Sequence, residues 1–320
     1  MRLAFVIALL PGLAFADPRV DAALETHVLP AFERLSQTSQ ALAEIKGCEV
    51  TDAWHVATEA WVAASHLRFG PTETDNRAFA LAFWPDPRGG TPMALHALLA
   101  KNAPGLSAAS IAGRGFYALK FLLFDPNFAE NPARCDLMNA LAQDASVTSS
   151  AILADWQDRY VALMRNAGQN SVYQSENEAM QELYKALLTG LQFSSDTRLG
   201  RPLGSFDRPR PKRAEMRRSG RSLDNVVASL TSPRDLAAIL SEGTPNVQKM
   251  LDVAFVRALE QAAELSNQPG ASDFALVSTP SGRLKVEILQ QDIDYIREVA
   301  VNHLGPALGV GAGFNALDGD

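Results

Sequence analysis

Thr51-Asp52-Ala53-Trp54-His55-Val56-Ala57-Thr58-Glu59-Ala60-Trp61-Val62-Ala63-Ala64-Ser65-His66 is the stretch on which the fold class turns. Trp54, Ala57, Trp61 and Ala64 recur every three or four residues, so they share one side of an α-helix and leave polar residues on the other. Thr51-Asp52 supplies the capping chemistry for its first turn. Upstream, Val20, Leu24, Val28, Ala31, Leu35 and Leu42 carry the same period across Val20–Ile45, with Pro30 expected to kink or split that helix. Downstream, Thr91-Pro92 pairs a capping residue with proline at the first helical position. Further helices are predicted over Ser107–Phe124, Ala145–Met164, from the capping box Ser175-x-x-Glu178 to Phe193, from Ser232-Pro233-x-Asp235, over Val247–Leu265 and over Leu284–His303. Only Phe274–Thr279 is ambiguous between helix and strand. The fold class is all-α. Long helices joined by short loops imply helical bundles. The polar segment Asn166–Gln174, with Gly168, divides the chain into units at 17–168 and 169–320. No short fixed period supports a solenoid.

The chain has 320 residues, a formal net charge of −7 and 47% hydrophobic residues, which suits packed cores and excludes disorder as the dominant state. Its acidic balance argues against a nucleic-acid binder. Met1-Arg2, the apolar run Leu3–Leu13 and Ala14-Phe15-Ala16 read as a cleavable signal peptide over residues 1–16, with cleavage after Ala16 and an exported, periplasmic mature chain. No later run is long enough for a transmembrane helix. In an oxidising compartment Cys48 and Cys135, the two cysteines, are expected to pair with each other, a reactive thiol or a metal ligand being the alternatives.

Residues 198–221 stand apart. Nine basic side chains (Arg198, Arg201, Arg208, Arg210, Lys212, Arg213, Arg217, Arg218, Arg221) face only Asp207 and Glu215, and Pro202, Pro209 and Pro211 are expected to keep the first part non-helical. Such a segment is either a tether paired with acidic faces of its own bundles or an anion site, since arginine forks suit carboxylates and phosphates. His55 and Glu59 share a helix face. His66 lies about 16 Å further along, too far to bind the same ion. The chain has no G-x-S-x-G elbow, P-loop, H-E-x-x-H helix or G-x-G-x-x-G run.

Several separated segments together resemble the imelysin, or M75 peptidase, family. Ser65-His66-Leu67-Arg68-Phe69-Gly70-Pro71 looks like its first signature, followed by Phe83-Trp84-Pro85-Asp86 with Arg88-Gly89. Gly115-Phe116-Tyr117-Ala118-Leu119-Lys120 occupies the place of its G-x-H-x-x-E helix. Leu199-Gly200-Arg201-Pro202-Leu203-Gly204, Ser219-Gly220-Arg221-Ser222 and the terminal Gly313–Asp320 resemble its second half. The resemblance implies a periplasmic two-bundle protein with its site in the cleft, described either as a peptidase or as an iron-regulated protein of iron uptake. The family's proposed metal pair, histidine and glutamate, is replaced here by Tyr117 and Lys120. A neutral phenol is a poor zinc ligand and an ammonium offers no lone pair.

A phenol and a cation three residues apart favour an anion. The expected ligand-binding set is Tyr117, Lys120, Arg68, Asp86, Arg217 and Arg221, with no catalytic residue and no metal ligand. The function expected is an exported, non-catalytic binding protein for a small anionic ligand, for example a ferric–carboxylate chelate, with no resident cofactor. One alternative is a divergent metallopeptidase holding zinc or iron through His55, Glu59 or His66. Another is an envelope adaptor whose basic loop docks an acidic partner protein.

Overall fold

A computed structural model describes residues 17–101, 106 and 109–311. The expected signal peptide and the terminal Gly313–Asp320 lie outside them. Among the described residues there are helices and no β-strand.

The first half is built on α1 (Pro18–Ala23), α2 (Leu29–Glu44), α3 (Thr51–Ala64), α4 (Arg77–Leu81), α5 (Gly90–Ala100), α6 (Gly115–Phe124), α7 (Arg134–Asp155) and α8 (Val161–Arg165). Pro30 does not split the first helix. It follows a π turn over Leu24–Val28, where the i→i−4 ladder is already interrupted, so α1 and α2 run on. The α6 helix starts at Gly115, later than the sequence suggests, because a 3-10 turn over Ile111–Gly113 precedes it. Gly115 has φ of +68°, and a Cβ there would lie 2.2 Å from the Ala80 carbonyl oxygen. Only glycine lets the helix start so close to the end of α4. Asp86 caps α5: its two carboxylate oxygens accept from the Gly90 and Thr91 N–H groups at 2.8 Å each. Helix α7 begins eleven residues before Ala145, and Cys48 and Cys135 form a disulfide that ties the α2–α3 turn to its first residues.

The second half holds α9 (Glu176–Gln192), α10 (Gly200–Leu203), α11 (Ser222–Leu240), α12 (Pro245–Ser266), α13 (Pro280–Val299) and α14 (Gly305–Leu308). Two expectations fail here. Helix α11 does not start at Ser232 but runs through Pro233, because Leu223, Val226, Leu230, Pro233, Leu236 and Leu240 form one buried face. That burial offsets a broken hydrogen bond and ring clash of about 3 kcal/mol. Nor do the prolines keep 198–203 from being helical: a π turn over Phe193–Leu199 carries α9 into α10, with Pro202 buried. The ambiguous stretch from Phe274 is a 3-10 turn over Ala275–Ser278.

Helix α2 packs on α3 and α7, and α6 on α7; in the second half α11 packs on α9 and α12, and α12 on α13. Helices α1 and α3 cross to α11, and the buried side chains from Val20 to Val310 form one continuous cluster. The segment after α10 lies along this junction and meets α6 through its Arg217–Ser219 turn. No helix among the described residues is long and apolar enough to cross a membrane.

Candidate functional site

A cavity of about 450 Å³ opens where α3, α6 and the loop after α4 meet α9 and α11. Trp61, Phe79, Trp84 and Phe193 give it aromatic walls, and Trp84 and Phe193 meet edge to face at 5.9 Å. Gly190 lets α9 approach this closely, since a Cβ there would lie 2.4 Å from the His66 Cβ.

The floor is a buried ionic network. Glu215, 2% exposed, accepts at Oε1 from the Tyr117 hydroxyl (2.5 Å) and at Oε2 from Arg198 Nε (2.9 Å) and Asn225 Nδ2 (3.0 Å). Arg198 also donates to the Ser65 hydroxyl at 3.2 Å and to Ser194 at 3.4 Å, and stacks over Phe193 at 4.8 Å. Each charge is therefore paired and hydrogen-bonded, as burial requires. Burial and the Glu215 carboxylate push the Tyr117 phenol well above its ordinary value, so it stays protonated as a donor.

Two histidines lie beside this floor. His66 lines the cavity, and its Nδ1 lies 3.0 Å from the Ala63 carbonyl oxygen, which can only accept. The Nδ1 proton leaves the His66 Nε2 lone pair to accept from His27 Nε2–H at 2.9 Å. Burial holds both imidazoles below their usual range, His27 at about 4.

The mouth carries charge of both signs. Arg68 makes two hydrogen bonds to Glu73, while Lys185 makes no ion pair among the described residues. Burial raises the carboxyl of Glu182, which Lys185 partly counters.

Of the expected ligand set, the cavity brings together Tyr117 and Arg68. Asp86 is engaged by the α5 N-terminus: burial pushes its carboxyl up, and several hydrogen bonds, led by those from the Thr91 and Gly90 N–H groups, together bring it below the usual value. Arg221 pairs with Glu59 at 2.9 Å and lies 3.8 Å from Asp224. Lys120 and Arg217 do not line the cavity. The basic segment pairs in part with the protein's own acids: Arg198 with Glu215, Arg218 with Asp125 and Arg221 with Glu59.

The donors of a metallopeptidase do not converge. Glu59 is taken by Arg221, His55 packs against Trp54 and Phe124, and His66 faces His27. Among the described residues no three His, Cys, Asp or Glu side chains are grouped to hold a metal ion. The Tyr117 hydroxyl donates a hydrogen bond to Glu215, whose carboxylate is already paired with Arg198, so zinc or iron does not fit the residues at this floor.

Glu215, Ser65, Trp84, Phe193, Glu182 and Lys185 also line the cavity but are absent from the expected ligand set, and Arg198 joins them from the basic segment. A signal existed for Glu215, one of only two acids among nine bases, and for Glu182 and Lys185, one turn apart on α9. A larger open groove of about 650 Å³ between α11 and α12 gathers none of the expected residues.

The family described as Imelysin, peptidase M75, matches residues 25–299. An imelysin-like protein from Psychrobacter arcticum has a similar crystal structure, with a TM-score of 0.76 at 19% identity over 94% of this chain and 100% of that one. A protein from Parabacteroides distasonis, assigned as an iron-regulated protein A precursor, gives a TM-score of 0.73 at 13% identity over 88% and 93% of the two chains. At such identities the likeness concerns the fold. No curated protein matches the chain.

Proposed function

Because the chain belongs to the imelysin family, we propose that it is an exported binding protein whose cleft holds a small carboxylate-bearing ligand without metal-assisted turnover. The observation that carries this reading is the hydrogen bond from Tyr117 to Glu215, at the position where the family is described as placing its metal-binding histidine. A donor set consumed in an ion pair cannot also activate water on a metal. What remains is a binding surface: aromatic walls for an apolar body, and Arg68 and Lys185 at the mouth for an anionic group. Among the described residues Arg68 is paired with Glu73 and Lys185 makes no ion pair. Glu73 and Glu182 beside them disfavour a ligand of high negative charge and suit one or two carboxylates distributed around an uncharged or cationic centre.

A ferric–carboxylate chelate has that distribution, and the iron-regulated description of the Parabacteroides protein makes it the first class to test. The Cys48–Cys135 disulfide suits the oxidising compartment that the N-terminal sequence suggests, the periplasm. The test is a thermal-shift titration with citrate, ferric citrate and longer carboxylates against the wild type, Lys185→Ala and Trp84→Ala. A saturable rise in Tm that both substitutions weaken supports the reading. No rise with any of them, or a rise indifferent to both substitutions, contradicts it.

A further inference from the structure

Lys120 is the one buried lysine among the described residues, 7% exposed, and it has neither a hydrogen bond nor a carboxylate within ion-pair distance. Its neighbours are aromatic faces and other cations. Lys120 Nζ lies 4.5 Å from the centre of the Phe121 ring and 5.6 Å from that of Tyr117. The Arg218 guanidinium lies over the same Phe121 ring at 5.4 Å, and Arg217 adds a third positive charge. An ammonium withdrawn from water beside like charges is costly unless something negative completes it.

The nearby acids are already committed. Asp125, 5% exposed on its side chain, pairs with Arg218 at 2.8 Å and accepts from the Asn127 N–H. Glu215 is held by Tyr117, Arg198 and Asn225, Asp86 by the α5 N-terminus, and Asp273 accepts from the Ala275 N–H. Arg217 makes no ion pair among the described residues, with Asp273 and Asp125 acting on it only at longer range. The turn that carries both arginines is fixed at some expense. Met216 adopts a left-handed backbone, φ of +51°, with its side chain 1% exposed, and its carbonyl accepts from the N–H and hydroxyl of Ser219. The Arg217–Ser219 turn is thereby held against α6, with Arg218 sharing the Phe121 ring with Lys120.

We propose that Lys120, Arg217 and Arg218 form a site for a small tetrahedral oxyanion, phosphate or sulfate, separate from the cleft. The ammonium supplies a point charge from below and the two guanidinium groups supply forked donors from the surface side. The same cluster, without an anion, depresses Lys120 to about 8 through burial first and then Arg218. The site does not depend on the cleft ligand, and Lys185→Ala is expected to leave it intact.

The experiment is a thermal-shift titration of the full chain with sodium phosphate and with sodium sulfate, ionic strength being held constant with sodium chloride. The wild type is expected to gain Tm saturably with one or both oxyanions. Lys120→Met and Arg217→Gln are each expected to raise the half-saturating concentration by about tenfold or more, the loss of one charge-assisted contact. Without oxyanion, Lys120→Met is expected to be at least as stable as the wild type, since it removes an uncompensated charge and keeps the packing. If it fails to fold, Arg217→Gln, at a partly exposed position, reads the site alone. No saturable rise over chloride in the wild type, or a rise that Arg217→Gln leaves unchanged, would overturn the proposal.

Discussion

Tyr117 and Glu215, 98 residues apart in sequence, lie 2.5 Å apart across the junction of the two halves, the tyrosine hydroxyl donating to the carboxylate. The bond closes the cleft floor and fastens the arginine-rich segment to α6. Arg198 completes it from the other side, so the floor is a buried ion pair with a phenol attached.

Breaking that pair on one side is expected to cost far more than replacing it. Glu215→Leu leaves Arg198 buried and unpaired and should destabilise the protein by about 3–5 kcal/mol. The double variant Arg198→Met, Glu215→Leu should recover much of the loss. Urea denaturation of the two singles and the double decides this, and additive losses would show that the pair is not coupled.

The His27–His66 pair makes the protein acid-sensitive in a definite window. The folded value of His27 is about 4 against an ordinary 6.5, so the unfolded chain binds a proton between these limits that the folded chain refuses. Its contribution is whole above 6.5 and is lost as pH falls towards 4, roughly 3 kcal/mol in all. His66 shifts in the same direction, and Arg198 is the charged group that faces it. Unfolding free energy measured from pH 7 to 4.5 should fall more steeply for the wild type than for His27→Leu. Parallel profiles would remove the pair as the cause.

The disulfide closes a sequence separation of 87 residues. Cys48→Ser with Cys135→Ser is expected to cost about 2–5 kcal/mol while leaving the cleft intact. Melting under reducing and non-reducing conditions checks the first part. A variant as stable as the wild type contradicts it.

Sequence periodicity was enough for the all-α class, because Trp54, Ala57, Trp61 and Ala64 report their burial directly through spacing. It placed the cysteine pair through compartment chemistry. It misplaced the start of α11, since a Ser-Pro pair is a start signal only when nothing upstream buries the same face, and Leu223, Val226 and Leu230 do. The cleft was legible at Tyr117 and Arg68, which belong to recognisable segments. Glu215 was hidden because its meaning depends on three partners, Tyr117, Arg198 and Asn225, of which the first is remote in sequence and none follows from helical spacing.

The Arg198–Glu215 ion pair, with Tyr117 attached, occupies the cleft floor where the family is described as placing a metal pair. Whether this floor excludes metal is decided by elemental analysis for zinc and iron on the purified full chain, after dialysis against a mild chelator and then re-exposure to each metal. Substoichiometric metal is expected in the wild type, with no change on Tyr117→Phe. A stoichiometric ion that survives dialysis and is lost on substitution of Tyr117, His66 or Glu215 would contradict it.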